Sequence, residues 1–60
     1  MTLKDRAARA LDLTHRTQAH QIGIHAKATR NYVAAWLDGI PKKRKNIIQA
    51  VRYLEMIAGL

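Results

Sequence analysis

The stretch from Gln18 to Gly39, with Pro41 just beyond it, constrains the fold more than any other part of this chain. Gly39 is a natural C-terminal residue for a left-handed helix cap, and Pro41 forbids continuation, so a helix must stop there. Ahead of that stop, Val33 and Trp36 are spaced i,i+3 and share one face. Ile22 and Ala26 supply an apolar face on the segment before. The pattern predicts two short helices, about Gln18 to His25 and about Thr29 to Leu37, joined by a tight turn at Ala26–Ala28.

Two further helices complete the expectation, and no segment carries a strand signal. The first helix spans about Leu3 to Leu13, with Leu3, Ala7, Ala10 and Leu11 on one face and Thr2 as N-cap. Thr14 to Thr17 is polar and reads as a loop, with Thr17 capping the next helix. The last helix spans about Lys43 to Ala58. The expected architecture is therefore all-α, a compact four-helix domain covering residues 1–60.

Sixty residues make one small domain. A chain of this size buries only roughly 60% of the surface its unfolded form exposes, so a lone monomer is marginal. There is no cysteine, and hence no disulfide or thiolate metal site to staple it. Stability must come from helix packing, self-association or a bound partner. The formal charge of +7 points to a polyanion. The only acids are Asp5, Asp12, Asp38 and Glu55, so Leu13 to Leu37 is free of negative charge while holding Arg16, Lys27 and Arg30. Lys42-Lys43-Arg44-Lys45 follows shortly after, and one side of the molecule is expected to be positive. No apolar run is long enough to span a bilayer, and MTLKDRAARA carries charges where a signal peptide needs an apolar core. These features lead to the expectation of a cytoplasmic protein, nucleoid-associated in a bacterial host, with no membrane partner.

The paired helices have the ingredients of a helix-turn-helix. Gly23 allows close crossing, and the second helix presents short polar or basic residues at the end that would enter a major groove. Here the segment resembles the DNA-binding element of the lambda-repressor and Cro-like family over Gln18 to Pro41. The likeness is most specific in Val33-Ala34-Ala35-Trp36-Leu37-Asp38-Gly39-Ile40, an inward aromatic followed by a polar residue and glycine. The resemblance implies operator binding as a homodimer and control of transcription. It departs from the family at Lys27, which sits where the turn usually has glycine, and at Ala26, smaller than the usual inward residue. A second register takes Gly23 as the turn glycine instead; it points Gln18 and Thr29 into the core and leaves Trp36 outside the motif.

In the favoured register, Thr29, Arg30, Asn31 and Ala35 face base edges. Arg30 suits a bidentate contact to guanine, Asn31 pairs with adenine, and Thr29 and Ala35 touch a thymine methyl. Thr17 and Gln18 lie at a helix N-terminus favourable to phosphate, and Lys27 and Tyr32 flank the groove. Four cations, Lys42, Lys43, Arg44 and Lys45, oppose the macrodipole of the helix they open, so phosphate clamping explains them better than helix stability. Tyr53, Met56 and Leu60 form a second apolar stripe on the last helix, with Ile57 between it and the core stripe; the four read either as a broad core face with a frayed apolar end or as a dimer contact.

His15, His20 and His25 do not make a metal site, since residues five apart on a helix lie about 140° apart. No nucleophile–base set stands out, and neither a cofactor nor a small-molecule ligand is expected. The reading is a sequence-specific regulator of double-stranded DNA, a dimeric repressor on a pseudo-palindromic operator. Its alternative is a protein-interaction module, antitoxin-like or a phage-encoded modulator, using the same scaffold. RNA binding ranks third, because single-strand readers offer stacking aromatics and this chain has only Tyr32, Trp36 and Tyr53.

Overall fold

The computed structural model describes residues 1–16 and 23–59, and of His15 and Arg16 it describes the backbone only. Three helices account for the ordered elements among them: α1 Leu3–Arg16, α2 Ile24–Leu37 and α3 Arg44–Ile57, each packed against the other two.

This corrects the four-helix expectation. The turn predicted at Ala26–Ala28 does not exist: Ile24 to Leu37 is one continuous helix of 14 residues. The Lys27 N–H donates to the Gly23 carbonyl at 3.1 Å, and no described residue other than glycine has positive φ. The physical reason lies in the residues themselves. IHAKATRNYVAAWL contains neither glycine nor proline, and Ala26, Lys27 and Ala28 are strong helix formers. A left-handed lysine would cost roughly 1 kcal/mol or more, and breaking the helix there would orphan a further set of backbone groups. Gly23, the turn glycine of the second register, is the N-cap of α2, with extended backbone (φ −66°, ψ 172°) rather than a left-handed turn. The expected helix from Gln18 lies mostly outside the described residues, and its last two members, Ile24 and His25, belong to α2.

α1 also runs past its predicted end, through Thr14 to Arg16. Thr14 is fully buried and its hydroxyl donates to the Ala10 carbonyl at 2.7 Å, a back-bond within the helix that satisfies the polar group without a loop. At the other end Thr2 and Asp5 cap the helix reciprocally. The Asp5 N–H donates to Thr2 Oγ1 at 3.1 Å, and the Thr2 N–H donates to Asp5 Oδ2 at 3.2 Å.

The core is built from small residues on α1 and larger ones elsewhere: Ala7 and Ala10, Val33, and Ile47, Val51 and Leu54. Alanines on α1 let α3 approach closely while β-branched and leucine side chains fill the space. Leu3, Leu11, Trp36, Leu37 and Ile57 pack around this centre. An Arg6–Glu55 ion pair at 2.7 Å ties α1 to α3 at the rim. α2 ends in a Schellman arrangement, with Gly39 N–H on the Trp36 carbonyl and Ile40 N–H on the Ala35 carbonyl, both 3.0 Å. Gly39 sits at φ +102°, which a side chain would strain. No helix among the described residues is long and apolar enough to cross a membrane.

Candidate nucleic-acid interface

The face of α2 opposite Ala26 and Val33 looks outward. Ile24, Lys27, Ala28 and Asn31 are exposed there, and Ala35 is half-buried. The residues are short apart from Ile24 and Lys27, so a partner can come close to the helix backbone. No acid lies in the first turn of α2 or of α3, and neither helix start has a side-chain cap. Both N-termini therefore present positive dipole ends that no acid in their own first turns offsets.

The basic block opens α3 and touches α2 through Lys42. Lys43 is the N-cap of α3, and Lys43, Arg44 and Lys45 are exposed. Lys42 folds back so that its Nζ lies 4.6 Å from the ring centroid of Tyr32, a cation–π contact. That contact joins the start of α3 to the residue following Asn31. The contact brings Tyr32 and Lys42 together, while Asn31 lies about 100° from Tyr32 around the helix.

Arg30 is placed differently. Its Nε donates to Thr14 Oγ1 at 3.0 Å and its Nη2 to the Leu11 carbonyl at 3.3 Å, so the guanidinium is turned onto the C-terminal half of α1. Thr29 is half-buried in mid-helix, and its hydroxyl donates to the His25 carbonyl at 2.9 Å rather than capping a helix start. Thr17, Gln18 and Leu60 lie outside the described residues. Of the stripe on α3, Met56 is 65% exposed, Ile57 packs on the core, and Tyr53 is half-buried against His25.

Between α2 and α3 runs an open groove of about 420 Å³ that sequence reasoning missed. His25, Thr29 and Tyr32 line it from α2, and Asn46, Gln49 and Tyr53 from α3. Its small lining residues, Ala28 and Ala50, leave the space that longer side chains would occupy. The His25 and Tyr53 rings meet edge to face, centroids 4.9 Å apart. The signal was present in part: Asn46, Ala50 and Tyr53 fall at helical spacing beside the core stripe. The partner wall is not legible in the sequence, because the predicted turn at Ala26–Ala28 separates His25 from Thr29 and Tyr32.

Away from this face, Arg6 and Glu55 form a structural ion pair. The hydrogen bond from Arg6 holds the Glu55 carboxyl below its ordinary range, against a smaller opposing effect of burial, and the same bond raises Arg6. Among the described residues no three His, Cys, Asp or Glu side chains gather where a metal ion would sit. No protein-family model, curated protein or solved structure matches the chain.

Proposed function

We propose that the chain is a regulator that binds double-stranded DNA, laying the exposed face of α2 in the major groove and clamping phosphates with the start of α3. Homodimeric repression on a pseudo-palindromic operator, in a bacterial cytoplasm, is the form this reading takes. The observation that carries it is the Lys42–Tyr32 contact, which sets the first of four consecutive cations against α2, a helix without acidic residues. Asn31 is the best-placed base reader, with Lys27 toward the backbone and Ala28 and Ala35 permitting close approach. Arg30, bound to α1, orients α2 instead. In the dimer, Met56 supplies the exposed apolar contact.

A salt series in a gel-shift assay tests this reading. Replacing Lys42, Lys43, Arg44 and Lys45 by alanine should reduce the slope of log K against log salt by about 3.6, at roughly 0.9 per phosphate neutralised. Asn31→Ala should relax base preference with little change in slope. Affinity that scarcely varies with salt would exclude the reading.

The second reading, a protein-interaction module, draws on Ile24, Ile40 and Met56, exposed at 88%, 51% and 65%. Selection from a random DNA pool separates the two, since an interaction module enriches no motif. Light scattering reports the oligomeric state.

A further inference from the structure

We infer that the groove between α2 and α3 is a binding site for a nucleoside phosphate, either free or as an unpaired residue of a strand. This goes beyond the duplex reading and does not need it: the groove shares Ala28 with the duplex-facing surface, but Asn31 does not line it.

The chemistry of the two ends sets the ligand. At one end Lys42 lies over Tyr32, and Lys45 stands one helical turn before Gln49 on the same side of α3. A phosphate is held there by cations and by the uncapped N–H groups of the α3 N-terminus. At the other end the His25–Tyr53 pair offers aromatic surface of the kind on which bases stack. From Asn46 to Tyr53 the helix advances about 10 Å. That is the reach from a 5′-phosphate to the far edge of its base. Between the ends, the amides of Asn46 and Gln49 each offer a donor and an acceptor, the set that a base edge requires. The Thr29 hydroxyl donates to its own helix and keeps its oxygen as a further acceptor. No acid lines the groove, so nothing opposes an anion. An acidic peptide would satisfy the cations but would leave the aromatic end and the paired amides without a matching group. The groove volume falls within the ordinary range for small-molecule sites.

The test is a titration followed by the side-chain amide resonances of Asn46 and Gln49, using AMP, a short oligothymidylate and tripolyphosphate as probes. AMP or the oligonucleotide should shift both amides saturably, and tripolyphosphate should bind more weakly despite its charge. Saturation by both probes assigns the site to free nucleotides as well as strands, and saturation by the oligonucleotide alone assigns it to a strand. Saturation by AMP alone assigns it to free nucleotides. Ala28→Leu, at an exposed helical position, fills the groove and should weaken binding about tenfold, the worth of one stacked base. Gln49→Glu, also exposed, should weaken it by repelling the phosphate. Unmoved amides, or tripolyphosphate binding as tightly as AMP, would overturn the inference. Asn31→Ala should leave these titrations unchanged while lowering duplex preference, so failure of one reading is distinguishable from failure of the other.

Discussion

Replacing Arg30 by alanine separates a structural arginine from a DNA-reading one. The guanidinium makes two hydrogen bonds to α1, at 3.0 Å to Thr14 Oγ1 and at 3.3 Å to the Leu11 carbonyl. Hydrogen bonds to a charged group contribute about 1.5–3 kcal/mol when well formed. The second bond here is long and both are only partly buried, so the lower end applies. Both acceptors lie in the last two turns of α1, where a cation also gains about 0.3–1 kcal/mol from the helix dipole. Alanine is a slightly better helix former than arginine and returns a few tenths. The net loss is about 1.5–2 kcal/mol, a large share of the roughly 3–9 kcal/mol that a chain of this length commands. For a domain this small that corresponds to a fall in Tm of roughly 6–16 °C.

Thermal unfolding followed by far-UV circular dichroism measures the fall, with Trp36, packed on the core, as a fluorescent second probe. A double-mutant cycle with Thr14→Val should return a coupling of about 1 kcal/mol, since the two side chains are in direct contact. The reasoning would be refuted if Arg30→Ala left Tm within about 2 °C of the parent and abolished base preference in the gel-shift assay. The guanidinium would then spend its time facing the partner rather than α1.

Three further outcomes follow from the fold. Gly39→Ala should cost about 1 kcal/mol through backbone strain alone, since a Cβ there meets nothing within 4 Å; chemical denaturation would show a lower midpoint at unchanged slope. The Glu55 carboxyl titrates lower in the folded chain than in the unfolded one. Its contribution is therefore present above the ordinary carboxylate range and is lost as pH falls through the depressed value. Glu55→Gln should flatten this acid limb of stability against pH and lower Tm slightly at neutral pH. Ile47 is fully buried, so Ile47→Ala should remove about 2–5 kcal/mol and leave much of the population unfolded by circular dichroism at room temperature. Ile47→Val should cost only about 0.5–1.5 kcal/mol and stay folded.

The ends of the chain were readable because their patterns are redundant. In α3 the stripe Ile47, Val51, Leu54 is fully buried, and the bounds differ by one residue at each end from those expected. In α1 the buried pair Ala7 and Ala10 and the Thr2 cap follow the spacing, and only the continuation through Thr14 was missed. A threonine near a helix end reads as a loop signal unless its hydroxyl has somewhere to go, and here it goes to Ala10 and to Arg30. That contact spans 16 residues, and no local pattern announces it. The groove was illegible for the same reason, since one wall comes from α2 and the other from α3.

The start of α2 was misread for a reason that also redirects the functional proposal. When Thr29 is taken as a helix start, Val33 and Trp36 define the inner face, and Arg30 lies about 90° from its centre, free to reach outward. Once Ala26 and Leu37 belong to the same helix, the inner face is the stripe Ala26, Val33, Leu37, and its centre moves toward Arg30, which is then only about 40° away. Arg30 is thereby committed to the flank that meets α1, where its two hydrogen bonds are found. The same rotation carries Asn31 to about 140° and Ala28 and Ala35 to about 160–180° from the core. A base-reading surface on α2 therefore centres on Asn31 between two alanines, with Lys27 at its edge. Its specificity should rest on one amide and a close backbone approach rather than on an arginine fork.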